Sequence, residues 1–323
     1  MATFFCIYSG KDLDEVERSD EHIVPYALGG SNQFVTRDAS KKANNDLGSF
    51  ADAALIDNFF MTNERWSRGI KSQGGNIPDL TLSGTVEING KELPVDFIVH
   101  ADRTTTLAIR PEVESDWANK RFRIECDPRD FPSIATNIER KAQRKGIDIR
   151  LADRDVAPNT VTIEKPWIKS ELAFDMNAFT LGYIKMALAT GHYVLGELWS
   201  RGDTAARIRA ALKAGANRTK VDWAQHRIRG GVWPNCGGEL TSVMHAGADR
   251  HVLLLLNTGP LAFYALLFGK YDGMVCLDDD LWERSPSLAP GDGAVFVLDV
   301  HSRQVQTYSF VDFLTRKERG QLA

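Results

Sequence analysis

The sequence predicts an α+β protein in which an N-terminal module precedes a larger mixed α+β region. Two alternating runs joined by Asn89-Gly90 indicate strands, and the almost wholly apolar stretch at residues 176–199 is typical of a buried helix. The chain has 323 residues, of which 43% are hydrophobic and 25% charged. This composition excludes a disordered or collagen-like chain, and the length fits two domains or one domain with a large insert.

The first boundary is predicted near residue 75. A helix-like stretch at residues 52–71 is followed by Ser72-Gln-Gly-Gly-Asn76, a run of small and flexible residues. We therefore expect a first domain at residues 1–75.

The middle segment is predicted to begin with a β-hairpin. Asn89-Gly90 tolerates the two positive-φ positions of a type I′ turn, and alternating runs flank it on both sides. Further strands are expected at residues 104–110 and 121–126, where apolar and charged side chains alternate in the second run.

A helix and a linker complete this segment. Ser133 is a candidate N-cap, apolar residues recur every four positions, and Gly146 is expected to end the helix. The polar residues 152–159 include a proline and predict a second boundary. We therefore expect a β-rich second domain at residues 76–157.

The remaining residues, 158–323, are predicted to form an α+β recognition or regulatory domain. After the long apolar helix, a second helix is expected from Asp203 to Gly215. Strand-like runs follow, and a terminal helix is expected. The runs lie at residues 251–256, 273–277 and 293–300, and the helix at 311–317.

Membrane insertion and export are not expected. The longest apolar stretches, at residues 252–256 and 260–268, fall far short of the roughly 20 residues that cross a bilayer. The first 15 residues lack the basic and apolar regions of a secretory signal. The four cysteines are scattered, which indicates reduced thiols, so we expect a cytoplasmic protein.

Charge is distributed unevenly along the chain. The net charge is −4, whereas residues 200–232 carry eight basic and two acidic residues. This stretch is a candidate phosphate-binding surface, with an ordinary solvated helix face as the alternative. The candidate nucleic-acid contacts are Lys41, Lys42, Arg207, Arg209, Arg218, Lys220, Arg227 and Arg229.

The segment from Ser19 to Asp52 carries the candidate chemistry. Glu21 is a candidate ligand for a hard cation, and the adjacent His22 is a candidate base that activates a water molecule. The side-chain carbonyl of Asn44 would complete a metal site. These are the parts of metal-assisted phosphodiester hydrolysis.

The same segment resembles the HNH endonuclease family, which is built on the ββα-metal fold. The resemblance covers about residues 4–57 and rests on EHIVP, ALGG, the asparagine after the two glycines, and NNDLGS, in that order. It implies an N-terminal ββα-metal module that cleaves nucleic acid with one divalent metal, Mg²⁺ or Mn²⁺. Duplex DNA is the expected substrate, RNA stays open, and a role in defence is an association only.

The resemblance also implies a role for each matched residue. The first metal ligand falls on Glu21, the general base on His22 and the asparagine that orients this base on Asn32. The last metal ligand falls on Asn44, with the adjacent Asn45 as the alternative. Because one site cuts one strand, a homodimer is expected for double-strand cleavage.

The zinc knuckles of similar proteins are degenerate in this chain. The two C-x-x-C positions read Cys6-Ile-Tyr-Ser9 and Ser40-Lys-Lys-Ala43, so one of four thiolates remains. A structural zinc site needs four thiolate or imidazole ligands, and we predict that none binds here. The loss also favours a rival interpretation, a non-catalytic or ligand-gated protein that binds nucleic acid or another effector on the HNH scaffold.

Three histidines outside the motif are further candidate functional residues. His192 lies inside the apolar helix and is expected in the core. His245 and His251 lie six positions apart, a spacing that favours solvated or core histidines over a metal site.

Overall fold

The computed structural model describes residues 2–88, 90–149, 167–172, 174–217, 221–234, 236, 238–277, 288–289 and 291–322. The chain divides into two compact units. The first unit comprises Met1–Pro78 and Phe174–Ala323, and the second comprises Asp79–Ala173. Both helices and strands are abundant, so the predicted α+β class is confirmed.

Two antiparallel strand pairs and a run of short helices form the N-terminal part of the first unit. The strands are β1 (Thr3–Cys6), β2 (Lys11–Asp14), β3 (Arg18–His22) and β4 (Val35–Ser40). The helices are α1 (Lys41–Leu47), α2 (Ala53–Ile56) and α3 (Phe59–Arg68), with a π-helical turn at Gly48–Asp52. The pair β3–β4 followed by α1 is compatible with a ββα arrangement.

The second unit contains the predicted hairpin and helix. Its strands are β5 (Leu80–Ile88), β6 (Lys91–Val99), β7 (Thr105–Ile109), β8 (Glu112–Asp116), β9 (Arg121–Glu125) and β10 (Ile168–Ser170). Ile88 pairs with Lys91 across the two-residue turn, which confirms the hairpin. The helix α4 (Phe131–Arg144) begins two residues before the predicted cap, after Asp130. The predicted boundary at 152–159 lies outside the described residues.

A long helix and a mixed set of shorter elements complete the first unit. The helices are α5 (Met176–Ser200), α6 (Asp203–Ala216), α7 (Gly238–Met244) and α8 (Phe310–Glu318). The strands are β11 (Ile228–Val232), β12 (Arg250–Asn257), β13 (Leu261–Leu267), β14 (Tyr271–Leu277), β15 (Gly293–Asp299) and β16 (Val305–Ser309). Among the described residues, no helix combines the length and the apolar character that crossing a membrane requires.

These six strands form one antiparallel sheet in the order β11-β14-β13-β12-β15-β16. Leu253 and Leu255 of β12 lie in the core that includes α5, whereas Val252 and Leu254 pack on the other face with Phe313 of α8. Because both faces of β12 are buried, this strand reads as a continuous apolar run rather than as an alternating one.

The N-terminal segment shares its core with the C-terminal region. Phe34 packs on Phe296 of β15, with 4.6 Å between ring centroids, and Leu55 of α2 lies against Gly182 of α5. These contacts lie within the first unit, which combines Met1–Pro78 with Phe174–Ala323. The physical reason is that the N-terminal helices are too short to bury their apolar faces against each other, so they bury them on α5.

Candidate functional site

Strand β3 directs two adjacent side chains of the motif to opposite sides. Glu21 pairs with Thr36 and His22 with Val35 of β4. Successive side chains of a strand point to opposite faces, so Glu21 lies in the interior, 5% exposed, while His22 is half-buried at the surface.

The imidazole of His22 is oriented by Asn32. Its Nε2 lies 2.8 Å from Oδ1 of Asn32, an oxygen that only accepts, so Nε2 carries the proton in the neutral ring. The lone pair is then on Nδ1, which has no hydrogen-bond partner within the described part of the chain. The ring of Tyr26 packs edge-on against the imidazole, with centroids 5.3 Å apart. This pair has the geometry of a general base with its orienting acceptor.

The turn between His22 and Asn32 depends on two glycines. Gly29 has φ +96°, a conformation that L side chains rarely adopt. A Cβ atom on Gly30 would lie 1.9 Å from the carbonyl oxygen of Val24. The Gly-Gly of the motif is therefore a steric requirement of the turn that brings Asn32 to the imidazole.

The C-terminal sheet holds the same turn from outside. Arg303 donates to the carbonyl oxygens of Tyr26 at 2.7 Å and Gly30 at 3.0 Å, and its guanidinium lies 3.6 Å from the centroid of the Tyr26 ring. His251 donates from Nε2 to the carbonyl oxygen of Leu28. Residues far from the motif in sequence therefore fix its conformation.

His251 is a core histidine, as its sequence context favours. It is fully buried, and both ring nitrogens are hydrogen-bonded, to Leu28 and to the amide of Phe268. Burial lowers the pKa of His251 to about 4. His192 is also largely buried and lies 2.8 Å from both Asp38 and Ser200. Neither histidine belongs to a metal cluster among the described residues.

Asn44 of α1 lies against β3, whereas Asn45 is exposed. The Nδ2 group of Asn44 donates to the carbonyl oxygen of Asp20 at 3.2 Å and to the hydroxyl of Ser19 at 3.3 Å. Both contacts use the amide nitrogen, so the Oδ1 atom of Asn44 remains available as a ligand. Of the two adjacent asparagines, Asn44 is the one beside the strand that carries His22.

Glu21 is paired with a lysine of the long helix α5. Lys185, 2% exposed, donates to Oε1 of Glu21 and to Oδ2 of Asp52, the latter at 2.5 Å. Burial raises the pKa of Glu21 to about 6, against the opposing charge of Lys185. Burial alone would lower the pKa of Lys185, but the carboxylates of Asp52 and Glu21 hold it above its usual value.

This arrangement does not fit a divalent metal at Glu21. The Oε1 atom of this carboxylate already accepts from an ammonium group, and an adjacent cation would be repelled. Among the described residues, no group of three or more His, Cys, Asp or Glu side chains could hold a metal ion. Of the two side chains that the resemblance implies as ligands, Glu21 is paired with Lys185, whereas Oδ1 of Asn44 accepts no hydrogen bond among the described residues.

Hydrogen bonds connect the four positions of the degenerate zinc knuckles. The sulfur of Cys6 accepts from the amides of Ser9 at 3.5 Å and Ser40 at 3.3 Å. The hydroxyl of Ser40 accepts from the amide of Ala43 at 3.2 Å and caps α1. The folding therefore brings the two segments together, but one thiol and two hydroxyls are not the ligands of a structural zinc site.

The basic candidates fall into different environments. Arg209 donates to the carbonyl oxygens of Ser200 at 2.7 Å and Ile7 at 3.3 Å, and Arg207 donates to Thr204 at 3.1 Å. The exposed residues of the set are Lys41, Lys42, Arg227 and Arg229, and Lys42 pairs with Asp46 at 2.5 Å. The predicted Arg218 and Lys220 lie outside the described residues.

Sequence reasoning missed Lys185 and Asp52. The available signal was a single charged residue in the middle of an apolar helix, since Lys185 lies between Ile184 and Met186. A buried charge is unfavourable unless it is paired, so such a lysine predicts a carboxylate partner. The periodicity of the helix does not identify which carboxylate that is.

Residues 6–60 match the family model described as HNH endonuclease. The match confirms the resemblance that the motifs of residues 4–57 carry. No curated protein and no solved structure matches the chain. An HNH endonuclease domain suggests nuclease activity on nucleic acid.

Proposed function

We propose, from the membership of residues 6–60 in the HNH endonuclease family, that this protein hydrolyses phosphodiester bonds of nucleic acid with His22 as its general base. The observation that supports this proposal is the contact of 2.8 Å between Nε2 of His22 and Oδ1 of Asn32. It leaves the Nδ1 lone pair of the neutral ring available to a water molecule.

The chemistry assigned to this chain is proton transfer and orientation. Nδ1 of His22 takes a proton from water while the water oxygen bonds to phosphorus, and the bond to the 3′ oxygen breaks in line with it. Asn32 accepts from Nε2 throughout and stabilises the imidazolium that forms. The departing oxygen takes a proton from solvent, and the family implies 5′-phosphate products.

HNH nucleases use a divalent metal, for which Mg²⁺ and Mn²⁺ are the candidates here. When bound, such a metal stabilises charge on the phosphate and on the leaving oxygen. The resemblance implies Glu21 and Asn44 as ligands, and the ion pair between Glu21 and Lys185 conflicts with the first of them.

Duplex DNA, a cytoplasmic location and a homodimer complete the proposal. The support for DNA is the family resemblance. The support for a dimer is that one His22 per chain cuts one strand. The exposed Lys41 at the start of α1 is a candidate phosphate contact close to the motif.

A second candidate function is nucleic-acid or effector binding without cleavage. One observation favours it, namely the ammonium of Lys185 at the carboxylate that the resemblance assigns to metal. Metal-dependent turnover distinguishes the two functions.

Conversion of supercoiled plasmid tests the proposal. We expect cleavage with Mg²⁺ or Mn²⁺, loss of cleavage with EDTA, and loss in His22→Ala. His301→Ala is the matched control, because this histidine is exposed and lies outside the motif. Absence of cleavage on DNA and RNA with either metal, or equal cleavage by His22→Ala, would contradict the nuclease and favour the binding function.

A further inference from the structure

Lys185 is a buried charge that the proposed mechanism does not use. Its side chain leaves the middle of α5, between the apolar Ile184 and Met186, and ends between the carboxylates of Glu21 and Asp52. Glu21 and Asp52 belong to β3 and to the π-helical turn after α1. One ammonium thus connects the strand of the motif, the helix that follows it and the core helix of the unit.

The ammonium of Lys185 neutralises the buried carboxylates of Glu21 and Asp52. The two carboxylates are 6% and 15% exposed, and such buried anions require a positive partner. Lys185 supplies it and donates to both. A divalent metal on Oε1 of Glu21 at ~2.1 Å would lie within a few ångströms of the ammonium, where like charges repel.

The surroundings also disfavour a hydrated ion. Mg²⁺ usually keeps several water ligands, which need space around the metal. The ring of Tyr8 lies 5.9 Å from Nζ of Lys185, and its buried hydroxyl has no hydrogen-bond partner within the described part of the chain. Lys185 is 2% exposed and the ring of Tyr8 lies beside its ammonium, so a hydrated metal ion at this position would have to displace packed side chains.

We propose that Lys185 is the resident cation of this HNH module and excludes divalent metal from Glu21, so that metal binds there only when Lys185 is withdrawn or replaced. The inference rests on the proposed function, because it assigns a control to the same site. In the conformation described here such a nuclease holds no metal at Glu21, so the metal-dependent cleavage expected of the wild type requires withdrawal of Lys185 when nucleic acid binds.

Binding of Mn²⁺ to the full chain tests this inference without measuring cleavage. The loss of the free Mn²⁺ signal in electron paramagnetic resonance is measured for the wild type, Glu21→Gln, Lys185→Met and the double variant. We expect equal binding by wild type and Glu21→Gln. We expect at least tenfold tighter binding by Lys185→Met, with a higher Tm in Mn²⁺, and loss of both gains in the double variant.

Lys213→Met, at an exposed lysine of α6, is the matched control. It should bind Mn²⁺ no more tightly than the wild type and show no higher Tm in Mn²⁺. The inference is overturned if the wild type binds Mn²⁺ and Glu21→Gln abolishes this binding. It is also overturned if folded Lys185→Met binds no tighter than the wild type. If Lys185→Met does not fold, the comparison of wild type with Glu21→Gln still decides, since equal binding supports the inference.

Plasmid cleavage measured in parallel separates the two proposals. A Lys185→Met protein that gains Mn²⁺ but cuts neither DNA nor RNA supports the resident cation and contradicts the nuclease. A wild type that cuts DNA, and whose Mn²⁺ binding without nucleic acid is lost in Glu21→Gln, overturns the resident cation and leaves the nuclease standing.

Discussion

Nε2 of His251 donates to the backbone carbonyl oxygen of Leu28 across 2.6 Å. His251 lies on β12 of the C-terminal sheet, whereas Leu28 lies in the turn between His22 and Asn32. The turn that joins His22, the proposed base, to Asn32 is therefore held by a residue more than 200 positions away. The larger region of the chain is part of the structural support of the motif.

The first prediction concerns the pH dependence of stability. Burial lowers the pKa of His251 in the folded protein to about 4, below its ordinary value of 6.5. Between pH 6.5 and 4 the imidazole of His251 is protonated in the unfolded chain but neutral in the folded protein. The free energy of unfolding is therefore highest above pH 6.5 and decreases as the pH falls toward 4. The loss is on the order of 3 kcal/mol over this window, measured by urea unfolding at successive pH values.

Glutamine at position 251 is the control for this titration. Its amide nitrogen can donate to Leu28, and it carries no titrating group. We expect His251→Gln to be less stable than the wild type at pH 8 but to lose less stability between pH 6.5 and 4. Parallel curves for the two proteins would show that His251 is not the group responsible.

The second prediction concerns the orientation of the base. Asn32→Leu removes the acceptor for Nε2, and we expect kcat/KM for cleavage to fall about 10- to 100-fold through misorientation of the imidazole. Asn32→Asp keeps an acceptor at this position and should retain more activity. Its carboxylate also stabilises the imidazolium, so the acidic limb of its pH–rate profile should move to higher pH.

An Asn32→Leu enzyme with wild-type kcat/KM would exclude Asn32 as the orienting group. Thermal unfolding of both variants controls for loss of fold. Asn32 is exposed, so neither substitution should change Tm by more than a few degrees.

The third prediction concerns the turn of the motif. Gly30→Ala places a Cβ atom 1.9 Å from the carbonyl oxygen of Val24, and the backbone must move to relieve it. We expect a loss of about 3 kcal/mol in the free energy of unfolding, measured by chemical denaturation. Nuclease activity should fall together with stability, because the turn sets the position of Asn32.

Gly48 provides the matched substitution. It has helical φ of −57°, and a Cβ atom would meet nothing within 4 Å. Gly48→Ala should therefore stabilise the protein by about 0.4–1 kcal/mol, since alanine loses less backbone entropy on folding. The steric role of Gly30 would be refuted if Gly30→Ala left the free energy of unfolding unchanged while Gly48→Ala raised it.

The fourth prediction separates structural from phosphate-binding arginines and lysines. The guanidinium of Arg209 donates hydrogen bonds to the carbonyl oxygens of Ser200 and Ile7, and burial lowers the pKa of Arg209. Arg209→Ala should cost about 1–3 kcal/mol of stability and leave the salt dependence of nucleic-acid binding unchanged. Lys41→Ala should leave stability unchanged and reduce the slope of log K against log salt by about 0.9.

Fluorescence anisotropy with labelled DNA at several salt concentrations measures these slopes. The assignment fails if Arg209→Ala lowers the slope at unchanged stability, or if Lys41→Ala leaves the slope as it was. Each substitution is compared with the wild type at the same ionic strength, because affinity without a stated salt concentration has no meaning here.

The sequence predicted the elements whose signals are local. The hairpin in which Ile88 pairs with Lys91 and the apolar run that became α5 depend on neighbours a few positions apart, and both predictions are confirmed. The strand β13 (Leu261–Leu267) lies in an apolar stretch for which the sequence predicts no element, because a continuous apolar run does not by itself distinguish a strand from a buried helix.

The domain boundaries illustrate the opposite case. The sequence of the short helices after β4 does not indicate which part of the chain buries their apolar faces. The structure places Leu55 against Gly182 of α5 and Phe34 against Phe296, so the N-terminal segment and the C-terminal region form one unit. Burial of this kind is decided by contacts between distant segments, which periodicity does not encode.

The sequence by itself determined the match of residues 6–60 to the HNH endonuclease model and the order of the motif residues Glu21, His22, Asn32 and Asn44, because motif spacing is a property of the chain. Only the tertiary structure decided what surrounds them. The pairing of Glu21 with Lys185 joins residues 164 positions apart. A buried charge takes whichever partner packing brings within hydrogen-bond distance, so its identity follows from the fold rather than from local sequence.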